Sequence, residues 1–194
     1  MFSLRFVTSP IWLELALGSL DQILIEQAHL EKKAASAAVN FLFRYPDWIA
    51  IQVPLADLAR EELEHFVRVQ TLLVARGLQF GRLRPAPYAE RLLAACRGTE
   101  PDRMLDSMLC CAVIEARSCE RMKLLSEALS RGQDRELCEL YSDLVRSEAR
   151  HHALYLELCD ERFPRAVVRS RLEELLEHEA SVLSAYHPLG RLHG

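Results

Sequence analysis

The sequence predicts an all-α protein built on four long helices, and three observations support this fold class. Half of the 194 residues are hydrophobic, which is enough for a substantial core, while Gly and Pro number only 7 and 8. Leu, Ala, Glu and Arg dominate, and there is little of the Val, Ile and Thr alternation that strands need. Helix start and stop signals divide the chain into long segments without a low-complexity linker.

The expected helices begin at N-cap residues or first-turn prolines and end before a glycine or proline. Their approximate ranges are 21–43, 54–77, 101–131, 134–162 and, for a fifth helix, 165–184. Short loops follow the first and third helices, and a long connection follows the second. Two hairpins joined by a crossover are the plan of a ferritin-like four-helix bundle. We therefore expect one domain over residues 1–194, with a bundle core at about 19–162 and an additional C-terminal helix.

Composition and charge argue against several other classes of protein. The N-terminal stretch is interrupted by Arg5, Pro10 and Glu14, so it does not predict a signal peptide, and no apolar run approaches membrane-spanning length. The six cysteines contain no C-x-x-C pair, which favours reduced thiols over disulfides or a zinc or rubredoxin-type site. The net charge of −4 argues against a generally basic nucleic-acid binder. We expect a cytoplasmic protein without a membrane partner.

Six residues form the pattern of a two-metal site in a helical bundle. Such sites take one Glu from each of two helices and a Glu-x-x-His pair from each of the other two, because residues three apart share a helix face. In chain order, the candidate ligands are Glu31, Glu62, His65, Glu115, Glu148 and His151. The spacing from Glu31 to Glu62 nearly matches that from Glu115 to Glu148, as expected for two similar hairpins.

The helix faces around these four glutamates distinguish them from other acidic residues. A ligand that points into a bundle should have non-ionic neighbours three, four and seven positions away, and all four satisfy this rule. Glu120 has basic neighbours at those spacings, so we expect no ligand there. Glu26 and His29 also form a Glu-x-x-His pair, but Glu26 lies about 140° around the helix from Glu31. We expect that pair at the surface.

Several residues near the candidates are expected to be structural. Tyr141 and Tyr155 lie one helical repeat from Glu148, where core packing explains them. Arg117 and Arg121 are expected to orient their helix through ion pairs. His152 is expected to be a supporting or surface residue, and the sequence leaves its role open.

The charge of the candidate ligands favours two divalent cations. Four carboxylates carry −4 and two neutral imidazoles add nothing, so two ferrous ions would leave the site neutral. Without metal, that much charge in a helical core would be costly. Carboxylate and imidazole ligands suit iron or manganese better than metals that prefer thiolates. The alternative is a non-catalytic helical interaction module whose buried Glu and His pair with Arg, which a metal assay would distinguish.

Five stretches of the chain resemble a known enzyme family. They are EKKAAS at 31–36, LAREELEHF at 58–66, RPAPYAERL at 84–92, IEARSCERM at 114–122 and RSEARHHALYLELC at 146–159. Together they resemble the tRNA-(2-methylthio-N6-isopentenyladenosine-37) hydroxylases, known as the MiaE family, over about residues 6–160. The family's ligand pattern falls on the same six positions. The two adjacent histidines at 151 and 152 depart from that pattern, where one would suffice.

The resemblance implies a non-haem di-iron monooxygenase that hydroxylates the isopentenyl group of a modified adenosine next to the anticodon of tRNA. It would use two iron ions, dioxygen and electrons from an external donor, because the chain has no flavin, nicotinamide or iron–sulfur motif. The alternative within the fold is a ferroxidase or a peroxide-scavenging protein of the ferritin or rubrerythrin kind. The absence of C-x-x-C pairs in the sequence argues against rubrerythrin.

A basic segment is the best candidate for contact with tRNA phosphates. Residues 76–97 contain five arginines and a single acidic residue, Glu90. The expected contacts are Arg82, Arg84 and Arg91. The alternative interpretation is a solvated loop in an arginine-rich protein.

Overall fold

Seven helices make up the regular structure of residues 4–132, 134–185 and 187–193, the part of the chain that the computed structural model describes. They are α1 (Pro10–Leu17), α2 (Leu20–Arg44), α3 (Ile49–Ala75), α4 (Tyr88–Leu93), α5 (Asp102–Leu129), α6 (Arg135–Arg162) and α7 (Arg165–Ser184). No strand occurs within those ranges, so the predicted all-α class is confirmed, and the helices are consistent with a ferritin-like bundle. None of the seven is both long and apolar enough to cross a membrane.

Helices α2 and α3 form a compact unit over Gly18–Pro85, here called the α2–α3 unit. Each helix buries a stripe of residues spaced three and four apart, which is the period of one helix face. On α2 the stripe runs through Leu24, Ala28, Glu31, Ala35 and Ala38. On α3 it includes Leu55, Leu58, Ala59, Glu62 and Val69. A glutamate therefore lies in the middle of each otherwise apolar stripe.

The other five helices form a second compact unit, over Met1–Leu17 and Ala86–Gly194, here called the α5–α6 unit. Helix α5 packs along α6, and α7 contacts α4, α5 and α6. Helix α6 begins where the sequence predicts, because the Asp134 carboxylate accepts a hydrogen bond from the Leu137 amide at 3.1 Å. The bounds of α7 also agree with the prediction.

The sequence-based prediction was wrong at the start of α3, and it missed two short helices. Helix α3 begins at Ile49, not at Pro54, which lies inside it. Pro54 is the sixth residue of the helix, so it removes the one hydrogen bond that an amide at this position would donate to the Ala50 carbonyl. The Gln52 side chain also donates to the carbonyls of Tyr45 and Trp48, which stabilises the early start. Helices α1 and α4 were not predicted, and α4 lies within the expected crossover connection.

Arg117 on α5 connects several segments of the α5–α6 unit. Its side chain is fully buried, and all five of its N–H groups donate hydrogen bonds. The acceptors are both carboxylate oxygens of Glu179, one of Glu120, the Thr8 hydroxyl and the Phe6 carbonyl. The expectation that Arg117 orients its helix through ion pairs is therefore confirmed.

Arg121, one helical turn later, is also buried and lies 4.8 Å from the Trp12 ring. Its guanidinium donates to the Leu192 carbonyl at 2.5 Å. Burial lowers the pKa of Arg121 to about 10. The described contacts of Arg121 thus include an aromatic ring and a backbone carbonyl, which the sequence-based expectation of ion pairs did not anticipate.

Asp106 anchors the connection between α4 and α5. Its buried carboxylate accepts hydrogen bonds from the backbone and guanidinium of Arg97 and from the guanidinium of Arg171. Arg171 also donates to the Ala95 carbonyl at 2.7 Å. Burial alone would raise the pKa of Asp106, but the hydrogen bonds from the two arginines outweigh it and lower the pKa to about 2. The anchor therefore depends on an ionised carboxylate.

We predict that Asp106→Asn lowers the free energy of unfolding by about 3 kcal/mol at neutral pH, because it removes one partner of a buried ionic cluster. The matched control is Asp102→Asn, since Asp102 pairs with Arg97 at 3.1 Å but is half-exposed. That variant should lose less than about 1 kcal/mol.

The pH dependence follows from the depressed pKa of Asp106. The stabilisation is fully present above the unfolded-state pKa of about 3.8 and is lost as the pH falls through about 2. The gap between wild type and Asp106→Asn should therefore narrow below about pH 4. Urea unfolding of the metal-free proteins at several pH values measures it, and equal losses in both variants would contradict this account.

Candidate metal centre

Three of the predicted ligands meet within the α2–α3 unit. Glu31 is 2 % exposed, Glu62 is fully buried and the His65 side chain is 12 % exposed. The His65 Nδ1 atom lies 3.7 Å from Glu31 Oε2 and 3.5 Å from Glu62 Oε2. One ligand atom from each residue falls within 4.8 Å of the other two. This group of two carboxylates and one imidazole could hold a metal ion.

Helix geometry explains why these side chains converge. Glu62 and His65 are three residues apart on α3, so they project from neighbouring positions on one face. Glu31 projects from the buried stripe of α2, which packs along α3. The prediction that these three residues belong to one site is consistent with their positions in this unit.

Two supporting residues were not recognised from the sequence. The buried Gln27 side chain donates to Glu31 Oε1 at 2.5 Å, one helical turn away on α2. This hydrogen bond leaves Glu31 Oε2 as the oxygen nearer His65. Glu61 lies 3.8 Å from the His65 Nε2 atom and therefore acts on the second nitrogen of the ring. The available signal in the sequence was a spacing of four positions, from Gln27 to Glu31 and from Glu61 to His65. Such spacings occur throughout any helix, so they do not single out supporting residues.

The electrostatics of this group favour a cation. Burial lowers the pKa of His65, but the carboxylates of Glu31 and Glu62, 3.7 and 3.5 Å from its Nδ1 atom, outweigh this effect and raise the pKa to about 9. Burial likewise raises the pKa of Glu31, and hydrogen bonds from His65 and other neighbours reverse the effect and lower it. Both directions express an excess of buried negative charge, which a proton on His65 or a bound metal cation would offset.

The other three predicted ligands lie in the α5–α6 unit. Glu115 on α5 and Glu148 and His151 on α6 are each at most 5 % exposed. Burial raises the pKa of Cys111 to about 12 and of Cys119 to about 11, and the charge of Glu115 adds to both shifts. These cysteines are one turn before and after Glu115, so its carboxylate lies on their apolar side of α5.

His152 is a link between α5 and α6. Its Nδ1 atom is 2.7 Å from the Ala112 carbonyl, and a carbonyl only accepts, so Nδ1 carries the proton. Burial lowers the pKa of His152, although the Ala112 carbonyl opposes the effect. Ala112 is three residues before Glu115, so this bond fixes α6 against the part of α5 that carries a candidate ligand. The expectation of a supporting residue agrees with this geometry.

The residues set aside as non-ligands have mixed outcomes. Glu120 bonds to Arg117 and to Thr8, and Tyr141 and Tyr155 are buried, as expected. The expectation that Glu26 lies at the surface was wrong, because it is only 3 % exposed. Helix α2 buries more than one narrow stripe, so the 140° separation from Glu31 does not carry Glu26 into solvent.

The candidate phosphate contacts are exposed. Arg82 and Arg84 lie in the irregular segment after α3, and Arg91 lies on α4. Arg82 and Arg84 belong to the α2–α3 unit and Arg91 to the α5–α6 unit. Their contact with tRNA remains a prediction.

The comparisons with known proteins identify the family of this chain. The model of the tRNA-(MS[2]IO[6]A)-hydroxylase (MiaE) family matches residues 2–194. The chain belongs to this family. The resemblance predicted from the five sequence stretches is therefore confirmed.

Two curated relatives are also named as tRNA hydroxylases. The chain is 37 % identical to the tRNA 2-(methylsulfanyl)-N(6)-isopentenyladenosine(37) hydroxylase of Pseudomonas putida over 152 residues, which cover 78 % of this chain and 72 % of that protein. It is 30 % identical to the enzyme of that name from Salmonella typhimurium over 185 residues, covering 80 % of this chain and 67 % of the relative.

A solved structure of a protein named for another activity is also similar to this MiaE family member. It is called Protein 43 with aldehyde deformylating oxygenase activity, from Synechococcus. The identity is 44 % and the TM-score is 0.93, with 100 % of this chain and 96 % of the other covered. The curated relatives are named as hydroxylases, and the solved structure is named for an oxygenase activity.

Proposed function

We propose that this protein hydroxylates the isopentenyl group of 2-methylthio-N6-isopentenyladenosine at position 37 of tRNA. The observation that carries the proposal is the pairing of a family match over nearly the whole chain with a buried group of Glu31, Glu62 and His65. The curated relatives carry the name of this activity. A tRNA-modifying enzyme without an evident membrane span would act in the cytoplasm.

Two iron ions are the proposed cofactor, held by Glu31, Glu62, His65, Glu115, Glu148 and His151. The donor set fits iron, because four carboxylates and two imidazoles balance two divalent cations and supply oxygen and nitrogen ligands. Each unit contributes three of these residues, and all of them are buried except His65, whose side chain is 12 % exposed. We propose that residues 1–194 form one domain and that all six side chains are iron ligands. When bound, iron supplies the capacity to activate dioxygen, with electrons from an external donor.

The chain's own residues would position the ligands and limit the access of water. Gln27 holds one oxygen of Glu31 and thereby orients the other oxygen of that carboxylate. Glu61 lies near the outer nitrogen of the His65 ring, which favours the tautomer with a proton on Nε2 and leaves Nδ1 to face the two carboxylates. The apolar residues flanking Glu31 and Glu62 would keep the reacting group in a water-poor environment.

The substrate base is accessible in principle, because a nucleotide of the anticodon loop is single-stranded and can enter a pocket at little unpairing cost. Arg82, Arg84 and Arg91 are the proposed phosphate contacts. Their side chains are exposed, as phosphate contacts need to be. The buried stripes of α2 and α3 contain no basic side chain. The residues that contact phosphate must therefore lie outside those stripes.

A second candidate function is aldehyde deformylation, which is favoured by the identity of 44 % to the Synechococcus protein of that activity. The family description and both curated relatives favour tRNA hydroxylation instead. A ferroxidase or peroxide-scavenging activity would need the same metal ligands but no organic substrate.

Mass spectrometry of the products separates these activities. The iron-loaded, reduced protein is incubated with isotopically labelled dioxygen and, in separate reactions, with tRNA that carries the 2-methylthio-N6-isopentenyl group and with a straight-chain aldehyde. We expect labelled hydroxyl in the tRNA nucleoside and no formate from the aldehyde. Formate without nucleoside hydroxylation would favour aldehyde deformylation. Iron oxidation that does not depend on either substrate would favour a ferroxidase.

We predict that Glu115→Ala lowers hydroxylation by more than the roughly 10–100-fold that follows loss of a residue that only supports a metal ligand. Glu120→Ala is the matched control on the same helix. It removes hydrogen bonds to Arg117 and Thr8, so it should lower stability by about 1–3 kcal/mol while leaving the iron content nearly unchanged. Metal analysis and turnover of both variants are the measurements, and equal loss of iron would show that the assignment on α5 is wrong.

A further inference from the structure

A cluster of one cation and three rings lies beside the candidate ligands of the α2–α3 unit. It consists of His29 and Lys32 on α2, Phe66 on α3 and Phe80 in the segment that follows α3, and is called the Phe80 cluster here. The Phe80 ring centroid is 4.5 Å from that of His29 and 5.9 Å from that of Phe66. The Lys32 ammonium lies 4.6 Å from the Phe80 centroid and 5.5 Å from the Phe66 centroid.

Lys32 is held by these rings and not by an acidic partner. Within the described residues, no carboxylate forms an ion pair with Lys32, although Glu31 precedes it in the chain. A partly buried ammonium over two aromatic faces gains cation–π attraction while keeping its charge available. The cluster therefore fixes the position of one positive charge without neutralising it.

The cluster also determines where the basic segment leaves the α2–α3 unit. The His29 Nε2 atom is 2.8 Å from the Gly81 carbonyl, and the neighbouring Phe80 ring packs against both helices. Arg82 and Arg84 come directly afterwards and are exposed, and residues 78–85 contain no acidic side chain. Lys32 and this segment thus form one cationic surface on the unit.

The surface is next to the candidate metal ligands along both helices. Lys32 follows Glu31, and Phe66 follows His65, so each pair of Cα atoms is only about 3.8 Å apart. Successive helical positions differ by about 100°, so these cluster residues flank the face that carries the ligands. A substrate group that contacts the Lys32 ammonium would therefore lie close to Glu31 and His65.

We propose that Lys32, positioned by Phe66 and Phe80, binds a phosphate of the single-stranded anticodon loop beside the modified adenosine. The proposal rests on the proposed tRNA hydroxylation and assigns it a substrate-positioning residue. The protein carries a net charge of −4, so attraction to RNA has to come from local groups of cations. A fixed ammonium with exposed arginines close by in the chain fits a phosphate backbone, whereas an acidic metal site alone would repel it.

The test compares Lys32→Met with Lys33→Met. Met keeps much of the side-chain volume and removes the charge, and Lys33 is an exposed lysine on the same helix outside the Phe80 cluster. The probe is an RNA anticodon stem-loop that carries 2-methylthio-N6-isopentenyladenosine, and its affinity is measured by fluorescence anisotropy over a series of salt concentrations. Loss of one phosphate contact should reduce the slope of log K against log salt by roughly 0.7–0.9.

We expect Lys32→Met to weaken RNA binding about fivefold near 0.1 M salt. A slope of roughly 0.7 in log K against log salt gives this factor over a tenfold range of salt concentration. Lys33→Met should stay within about twofold of wild type, because no second contact is lost. Iron content should be unchanged in both variants. Lys33→Met should unfold at the same temperature as wild type, and Lys32→Met at a slightly lower temperature, because it loses two cation–π contacts. Equal affinities and salt slopes for the two variants would overturn the proposal.

Phe80→Leu tests whether the ring acts through Lys32. If it positions the ammonium, the double variant Phe80→Leu with Lys32→Met should bind no more weakly than Lys32→Met alone. Additive losses would overturn the positioning role. Because RNA affinity is measured without turnover, failure of hydroxylation in wild type would reject the proposed function while the comparison of Lys32 with Lys33 still gives its own answer.

Discussion

The burial of carboxylates in helix cores is the constraint on which this structure depends. A buried ionised carboxylate is costly unless it is paired and hydrogen-bonded. Glu31 and Glu62 lie in the middle of apolar stripes on α2 and α3, where Leu or Ala would pack at no such cost. Their presence is explained if a cation compensates them. The neighbouring His65, whose pKa is raised to about 9, shows how strongly this group attracts positive charge.

The protein neutralises other buried acids in a different way. Asp106 accepts hydrogen bonds from Arg97 and Arg171, and Glu179 accepts two from Arg117. The pairs of Arg171 and Arg117 connect α5 with α7, and each acid has a permanent guanidinium partner. Glu31 faces the imidazole of His65, a candidate metal ligand, and the amide of Gln27, which orients its carboxylate. The contrast separates structural acids from candidate ligands more clearly than burial alone.

Much of the fold was predictable from the sequence because its signals are local. Asp134 caps α6 as predicted, and helix start and stop signals predicted the long helices. The early start of α3 depends on Gln52, whose side chain bonds to a preceding loop, and no local pattern announces such a contact. The convergence of three candidate ligands in the α2–α3 unit was predictable from spacing and helix face. Gln27, Glu61 and the Phe80 cluster were not, because their roles depend on side-chain positions across two helices and a loop.

Anaerobic titration with Fe(II), followed by metal analysis of the gel-filtered protein, tests the central claim most directly. If the buried carboxylates and imidazoles form a two-metal site, the protein should retain about two iron ions per chain, and later exposure to air should consume oxygen in proportion to the iron. A tight stoichiometric zinc site without iron-dependent oxygen consumption, or no retained metal at all, would contradict the account.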